Sequence, residues 1–153
     1  MHYLVAVALP ASTQPDDIDA AVSTAMESYA HCEQPDGPPG GGVWGWWSPG
    51  GRWHGRYFKL TPDAADRRSK GTLDLPREGE CHLHGCSAHS ISRVDCARLR
   101  DLDPDSFWAP AYWIDLDNRL AENEEKGTEA NIRFMGWIQS LPRDTWLVAV
   151  DAK

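Results

Sequence analysis

The sequence predicts an α+β fold, in which two main helices pack on a mainly antiparallel or mixed sheet and long irregular loops join the elements. Two apolar, β-rich runs lie near the two ends of the chain, and both contain the letters LVAV, at positions 4–7 and 147–150. Two segments between these runs repeat apolar residues at helical spacing. The chain has 153 residues, which fits a single domain spanning residues 1–153.

The first strand and the first helix are predicted within residues 2–29. Residues 2–9 are almost continuously apolar, which is typical of a central strand covered on both faces. A helix is predicted to follow, with Thr13 as its N-cap and Pro15 in its first turn. Its apolar positions at helical spacing are Ile18, Val22, Ala25, Met26 and Tyr29. Residues 33–42 are rich in proline and glycine and predict a loop.

The middle of the chain predicts shorter elements. Residues 43–47 and 53–60 flank Ser48-Pro49-Gly50-Gly51, a pattern that predicts two strands joined by a tight turn in which glycine supplies positive φ. Residues 61–80 are polar and have no period, so an exposed loop is expected. A short helix is predicted from the spacing of Ile91, Val94, Leu99 and Leu102.

The carboxyl-terminal third predicts a strand, a helix and a second buried strand. Residues 107–116 predict an irregular strand that Pro110 confines to a sheet edge or a bulge. The helix is expected to begin at Thr128, its N-cap, and to end before Pro142. Its apolar face comprises Ala130, Phe134, Trp137, Ile138 and Leu141. Residues 145–152 predict a buried strand next to the first one.

Composition limits the classes of partner. The formal net charge of −8 argues against a nucleic-acid partner, because phosphate backbones require a basic surface. The first apolar run is too short to span a bilayer and lacks a basic flank, so we expect a cytoplasmic protein without a membrane partner. Leu, Ile, Val and Phe number only 27, so the eight tryptophans and four tyrosines are expected to fill much of the core.

A tryptophan-rich segment is the main candidate for a ligand site. Indole faces stack on planar rings, arginine binds phosphate or carboxylate, and glycine lets the backbone approach closely. Strand alternation places at least one face in the core, so we weigh packing above binding for most of these rings. The sequence predicts a small-molecule-binding protein for a planar, phosphorylated, nucleotide-derived metabolite. The candidate ligand-binding residues are Trp44, Trp46, Trp47, Gly50, Gly51, Arg52 and Trp53.

The segment WGWWSPGGRWHG, at positions 44–55, resembles the motif W-D-W-(Y/W)-x-(I/V)-G-G-R-W-x-G of a loosely characterised group of phage, actinobacterial and other bacterial proteins. Residues 141–151 resemble the closing segment of the same group. The resemblance implies a phage or mobile-element setting and no particular reaction. Gly45 replaces the acid of the motif and Pro49 its hydrophobic residue. Ala152 and Lys153 stand in place of a histidine that commonly follows the terminal Asp151. Any chemistry of that acid and histidine is therefore expected to be lost, which favours binding over catalysis.

A cysteine- and histidine-rich segment provides the alternative site. Zinc favours tetrahedral thiolate and imidazole ligands, and the candidate set is Cys81, His84, Cys86 and His89. The C-x₄-C spacing is not that of a standard zinc motif, so an exposed polar loop is the competing interpretation. Zinc is the only cofactor that the sequence indicates. Asp115, Asp117 and Asp151, near predicted strand ends, form a weaker candidate for a divalent ion.

Two further function classes stay open beside small-molecule binding. A zinc-dependent enzyme would use the cysteine and histidine segment, although no catalytic residue can be assigned from the sequence. A protein interaction module would expose a tryptophan-rich patch, since Trp, Tyr and Arg dominate interface hot spots. Such a patch would also allow a homo-oligomer.

Overall fold

The computed structural model describes residues 1–31, 42–53, 55, 57–75 and 95–153. Within these residues, six strands form one mixed sheet with the order β2-β6-β1-β4-β5, and β3 also pairs with β6. This architecture confirms the predicted α+β class. The strands are β1 (Tyr3–Leu9), β2 (Trp47–Pro49), β3 (Cys96–Arg98), β4 (Tyr112–Ile114), β5 (Leu120–Glu122) and β6 (Trp146–Ala152). The helices are α1 (Ile18–Glu27), α2 (Pro62–Ser69) and α3 (Gly127–Ser140).

The two apolar runs form the centre of the sheet, as predicted. β1 and β6 are antiparallel, with a register that runs from Tyr3 opposite Ala152 to Leu9 opposite Trp146. β4 pairs with the other edge of β1 in parallel, so β1 is an interior strand. Every residue of β6 is buried. A strand covered on both faces has no polar side to alternate with, which explains the continuous apolar runs.

The sheet separates two hydrophobic clusters. On one face, Val5 and Val7 of β1 pack with Ile18 and Met26 of α1. On the other face, Ala6 and Ala8 of β1 belong to the cluster that contains Phe134 and Ile138 of α3. Successive residues of β1 therefore serve opposite clusters, as the period of two requires.

Both long helices exist as predicted, but their caps differ. α1 begins at Ile18, after a 3-10 turn at Pro15–Asp17, with Asp17 at its N-cap. Thr13 is not the cap, because Gln14 precedes the 3-10 turn and Asp17 precedes α1. The Thr13 carbonyl oxygen accepts a hydrogen bond from the Trp146 indole. α3 has Lys126 at its N-cap, so Thr128 lies inside the first turn.

The predicted hairpin between residues 43–47 and 53–60 is wrong. β2 pairs with β6 instead, with Trp47 opposite Ala152 and Pro49 opposite Val150. β6 offers β2 a fully buried neighbouring strand, which a local hairpin with the following segment would not provide. In the predicted second strand of the hairpin, of which residues 53, 55 and 57–60 are described, Leu60 alone forms a β-bridge, with Leu102. The predicted positive φ is confirmed at Gly50 and Gly51.

The predicted loop at residues 61–80 contains α2 in its described part. The Thr61 side chain accepts a hydrogen bond from Ala64 N and caps the helix. Asp63 pairs with Arg67, and Asp66 pairs with Lys70, one helical turn apart. A short helix that buries only Ala64 shows no apolar period, so pattern reading could not find it.

Two further predictions in the second half need correction. Leu99 and Leu102 do not share a helix, because β3 precedes a 3-10 turn at Leu99–Asp101, while Ile91 and Val94 lie outside the described residues. β4 is interior, between β1 and β5, and it begins at Tyr112. Pro110 therefore precedes the strand and does not confine it to an edge. β5, the edge strand on this side, lies in a polar stretch of the sequence and was not predicted.

None of the helices described in this structure is long and apolar enough to cross a membrane, and the longest, α3, has 14 residues.

Candidate functional site

A Gly-Gly-Arg turn follows β2 and lies against two buried carboxylates. Gly50 and Gly51 have φ values of +66° and +47°, in the left-handed region that glycine adopts without strain. A Cβ atom on Gly50 would collide with the Asp95 carboxylate, and one on Gly51 would collide with the side chain of Asp151. Glycine is therefore required at both positions for conformation and for space.

Asp151, in β6, connects three segments that are distant in sequence. Its side chain is only 2% exposed. Oδ2 accepts a hydrogen bond of 3.0 Å from the backbone N–H of Arg52, and Oδ1 lies 2.9 Å from His2 Nδ1. One carboxylate thus fixes the turn and orients an imidazole. We refer to Asp151 with His2, Trp46, Gly51 and Arg52 as the Asp151 site.

Asp95 stabilises the other side of the same turn. Its side chain is buried, and Oδ1 accepts a hydrogen bond of 2.9 Å from Gly55 N. Its backbone carbonyl oxygen accepts another from Ala149 N in β6. The turn is therefore anchored to β6 directly through Asp151 and indirectly through Asp95.

The tryptophans of the predicted site divide between core and surface. Trp44 and Trp47 are buried in the cluster on the α1 face, and the Trp44 indole donates to Met26 O at 3.0 Å. A ring buried in this way cannot stack on a ligand. Trp53 packs against the opposite cluster, and its Nε1 has no hydrogen-bond partner among the described residues. Trp46 keeps part of its ring exposed.

Three side chains of the Asp151 site are exposed or partly exposed, those of His2, Trp46 and Arg52. The His2 imidazole meets the Trp46 indole edge to face, with ring centroids 6.1 Å apart and planes at 79°. The Arg52 side chain is exposed, and its guanidinium forms no ion pair within the part of the chain that the structure describes. An imidazole and an indole therefore lie beside the buried carboxylate, and the residue whose backbone N–H it accepts carries an exposed cation.

His2 and Asp95 are the site residues that sequence reasoning missed. Neither lies in a motif, and both reach the turn through pairing with β6. His2 directly precedes β1, whose first residue Tyr3 lies opposite Ala152, the residue after Asp151. We expected any acid and histidine chemistry to be lost because Ala152 and Lys153 stand in place of a histidine; His2 nevertheless places an imidazole beside Asp151.

The metal predictions have no support within the described residues. Cys81, His84, Cys86 and His89 lie outside them. In the described ranges, no group of three or more His, Cys, Asp or Glu residues is placed to hold a metal ion.

Asp115 and Asp117 do not meet Asp151. Asp115 follows β4, whose Ile114 lies opposite Val7 of β1, whereas Asp151 lies opposite Leu4 near the start of β1. These acids therefore lie at opposite ends of the sheet.

Cys96 is a core residue. Burial raises the pKa of its thiol above the usual value, which makes this side chain an unsuitable nucleophile.

The grooves and cavities of the described structure are lined by residues outside the Asp151 site. A groove of about 420 Å³ beside the start of α3 is lined by Trp108, Asn123, Lys126 and Asn131 among others. A cavity of about 280 Å³ has Lys59 and Arg68 in its wall. Trp108 is exposed at 40%, while Trp46, Trp53 and Trp137 are partly buried, so a tryptophan-rich interaction patch stays a prediction.

Comparison with known proteins adds no relative to this picture. No protein-family model matches the chain, and no curated protein or solved structure is significantly similar to it. The functional interpretation therefore depends on the geometry and chemistry of the Asp151 site.

Proposed function

We propose that the protein binds a planar, negatively charged small molecule at the Asp151 site, of the phosphorylated, nucleotide-derived class. The observation that carries this proposal is the state of Arg52. Its backbone is held by the buried Asp151, while its guanidinium stays exposed and without an ion pair among the described residues. A charged group on a fixed backbone loses less entropy on binding than one on a mobile loop.

The charge around Arg52 supports an anionic ligand. Arg67, Arg98 and Arg100 each pair with an aspartate elsewhere on the surface. Asp151, which accepts the Arg52 backbone N–H, has both oxygens engaged, one with His2 and one with that N–H. The guanidinium is thus left to bind phosphate or carboxylate oxygens through its planar fork.

Trp46 supplies the planar surface. Its ring is partly exposed and is held edge to face by His2, which limits its rotation. Of the predicted ligand-binding residues, Trp46, Gly51 and Arg52 then contact the ligand, and His2 joins them. Trp44, Trp47 and Gly50 have the packing role, and Trp53 lies in the cluster on the opposite face. Base stacking on one indole is worth roughly 1–3 kcal/mol in proteins that bind single-stranded nucleic acids.

Thermal shift and tryptophan fluorescence with a panel of nucleotides and nucleosides test this proposal. We expect a nucleotide to raise the Tm and quench fluorescence in the wild type, and the matching nucleoside to act more weakly because it lacks the phosphate. Arg52→Met should abolish the difference between the two.

Arg119→Met is the matched control, because Arg119 is also an exposed arginine without an ion pair in the described structure, at the opposite end of the sheet. Equal nucleotide responses in the wild type and in Arg52→Met would contradict the proposal.

A further inference from the structure

We propose that the Asp151 site is also hydrolytic: His2 acts as a general base that activates water to cleave a carboxylic ester in an anionic, ring-bearing molecule. Asp151 is the positioning residue, and Arg52 binds the anion. This inference rests on the proposed function, since it uses the same ligand-binding surface. It goes further by assigning a reaction to that surface.

The geometry fixes the protonation pattern of the imidazole. Asp151 Oδ1 is a buried acceptor 2.9 Å from His2 Nδ1, so in the neutral ring Nδ1 carries the proton and donates it to the carboxylate. Nε2 then keeps its lone pair and becomes the basic atom. The other oxygen of Asp151 accepts the backbone N–H of Arg52, so the carboxylate is held from two sides and cannot rotate away.

The second nitrogen of His2 is free to accept a proton. The side chain is 28% exposed, and Nε2 has no hydrogen-bond partner among the described residues. A buried carboxylate on one nitrogen and no protein partner on the other, among the described residues, is an arrangement that general bases use.

The proposed step needs only water as a co-reactant. His2 Nε2 removes a proton from water as the water oxygen forms a bond to the ester carbonyl carbon. The ester C–O bond then breaks, and the leaving oxygen takes the proton from the imidazolium. The products are the carboxylic acid and the alcohol or phenol, and His2 returns to its starting state. The Arg52 guanidinium pairs with an anionic group elsewhere on the substrate, and Trp46 contacts its ring.

A pair of acetate esters tests the proposal directly. The anionic probe is para-acetoxyphenyl phosphate, and the neutral probe is para-methylphenyl acetate; both release a phenol that absorbance follows. The variants are His2→Asn, which keeps a donor toward Asp151 but removes the base, Asp151→Asn and Arg52→Met. His31→Asn, at another exposed histidine, is the matched control.

We expect His2→Asn to lower kcat for the anionic ester by about 100-fold or more with little change in KM, the usual scale of general-base catalysis. Asp151→Asn should lower kcat with little change in KM, because Asn donates toward Nδ1 and favours the other tautomer. Arg52→Met should raise KM for the anionic ester alone. His31→Asn should match the wild type.

Two results would overturn the inference, and each differs from a failure of the proposed function. If His2→Asn and the wild type cleave the anionic ester at the same rate, and that rate is no higher than the rate with free imidazole, His2 is not a general base. If nucleotides bind in an Arg52-dependent way while neither ester is cleaved, binding stands and hydrolysis is rejected. If turnover depends on His2 but neither probe responds to Arg52→Met, the general base is supported and the anion-binding function is contradicted.

Discussion

Two aspartate-centred turns lie at opposite ends of the central sheet and differ in the origin of their hydrogen-bond donors. Asp115, after β4, accepts through Oδ1 from the backbone N–H groups of Asp117 and Arg119, within its own turn. Asp151, near the end of β6, binds the Arg52 N–H and the His2 imidazole, 99 and 149 positions away in sequence. Asp115 is partly exposed, whereas Asp151 is buried.

The difference separates a structural turn from a candidate site. A local acid that caps its own loop uses its oxygens to replace missing backbone partners, and it gathers no other side chain. A buried acid with distant donors brings together residues that the chain would otherwise keep apart. At Asp151 those residues are His2 and Arg52, which carry an imidazole and a cation. An aspartate-centred turn of this kind therefore includes groups that can take part in chemistry or binding. The following predictions test whether this difference is real.

The largest effect is expected from Gly51→Ala. Alanine would have to adopt positive φ and its Cβ would collide with the side chain of Asp151, so we expect a loss of about 4 kcal/mol in the free energy of unfolding. Gly71→Ala is the control, because Gly71 also has positive φ (+71°) but nothing lies within 4 Å of the added Cβ. That variant should lose about 1 kcal/mol. Urea denaturation measures both, and similar losses would show that the packing against Asp151 is loose.

The next effect compares the two acids themselves. Asp151→Ala removes the acceptor of two long-range hydrogen bonds and leaves the Arg52 N–H without its partner, so we expect a loss of about 2–3 kcal/mol. Asp115→Ala removes two bonds inside a partly exposed turn that water can replace, with an expected loss of about 1 kcal/mol. Denaturation at a single pH compares them. A larger loss for Asp115 would reverse the ranking of the two turns.

Local patterns predicted the elements that depend on local order and missed those that depend on pairing. The continuous apolar runs of β1 and β6 and the apolar face of α3 follow from burial alone, so the sequence was sufficient for them. β2 and β3 are three residues each and exist because β6 presents edges to them, which no local pattern encodes. α2 has no apolar period because it buries only Ala64.

The same distinction between local patterns and long-range pairing explains which residues of the site the sequence predicted. Gly50, Gly51 and Arg52 were predicted because their chemistry is local, a tight turn with a cation. Trp44 and Trp47 share the same segment, yet their rings fill the core on the α1 face, and only the tertiary structure separates them from Trp46. His2 entered the site through the register of β1 and β6, which is a long-range property.

A smaller effect is expected from Tyr29→Phe, at the end of the sheet where Asp115 lies. The Tyr29 hydroxyl donates to Asn118 O and accepts from Leu120 N, and so connects the end of α1 to the turn after β4. Its removal should cost about 1 kcal/mol of stability. Because this turn lies far from the Asp151 site, nucleotide binding should not change. A change in affinity measured alongside denaturation would indicate that the two ends of the sheet are coupled.

The smallest effect on stability is expected from Arg52→Met, which should unfold at the same urea concentration as the wild type. The backbone N–H that Asp151 binds is retained, and the guanidinium has no partner in the described structure to lose. Arg119→Met should be equally silent, since Arg119 also contributes its backbone N–H rather than its side chain to its turn. The two variants should therefore be indistinguishable by denaturation and should differ only in the Tm shift that a nucleotide produces. If Arg52→Met were destabilising, its side chain would be part of the turn, and the distinction between a structural aspartate turn and a binding one would no longer hold.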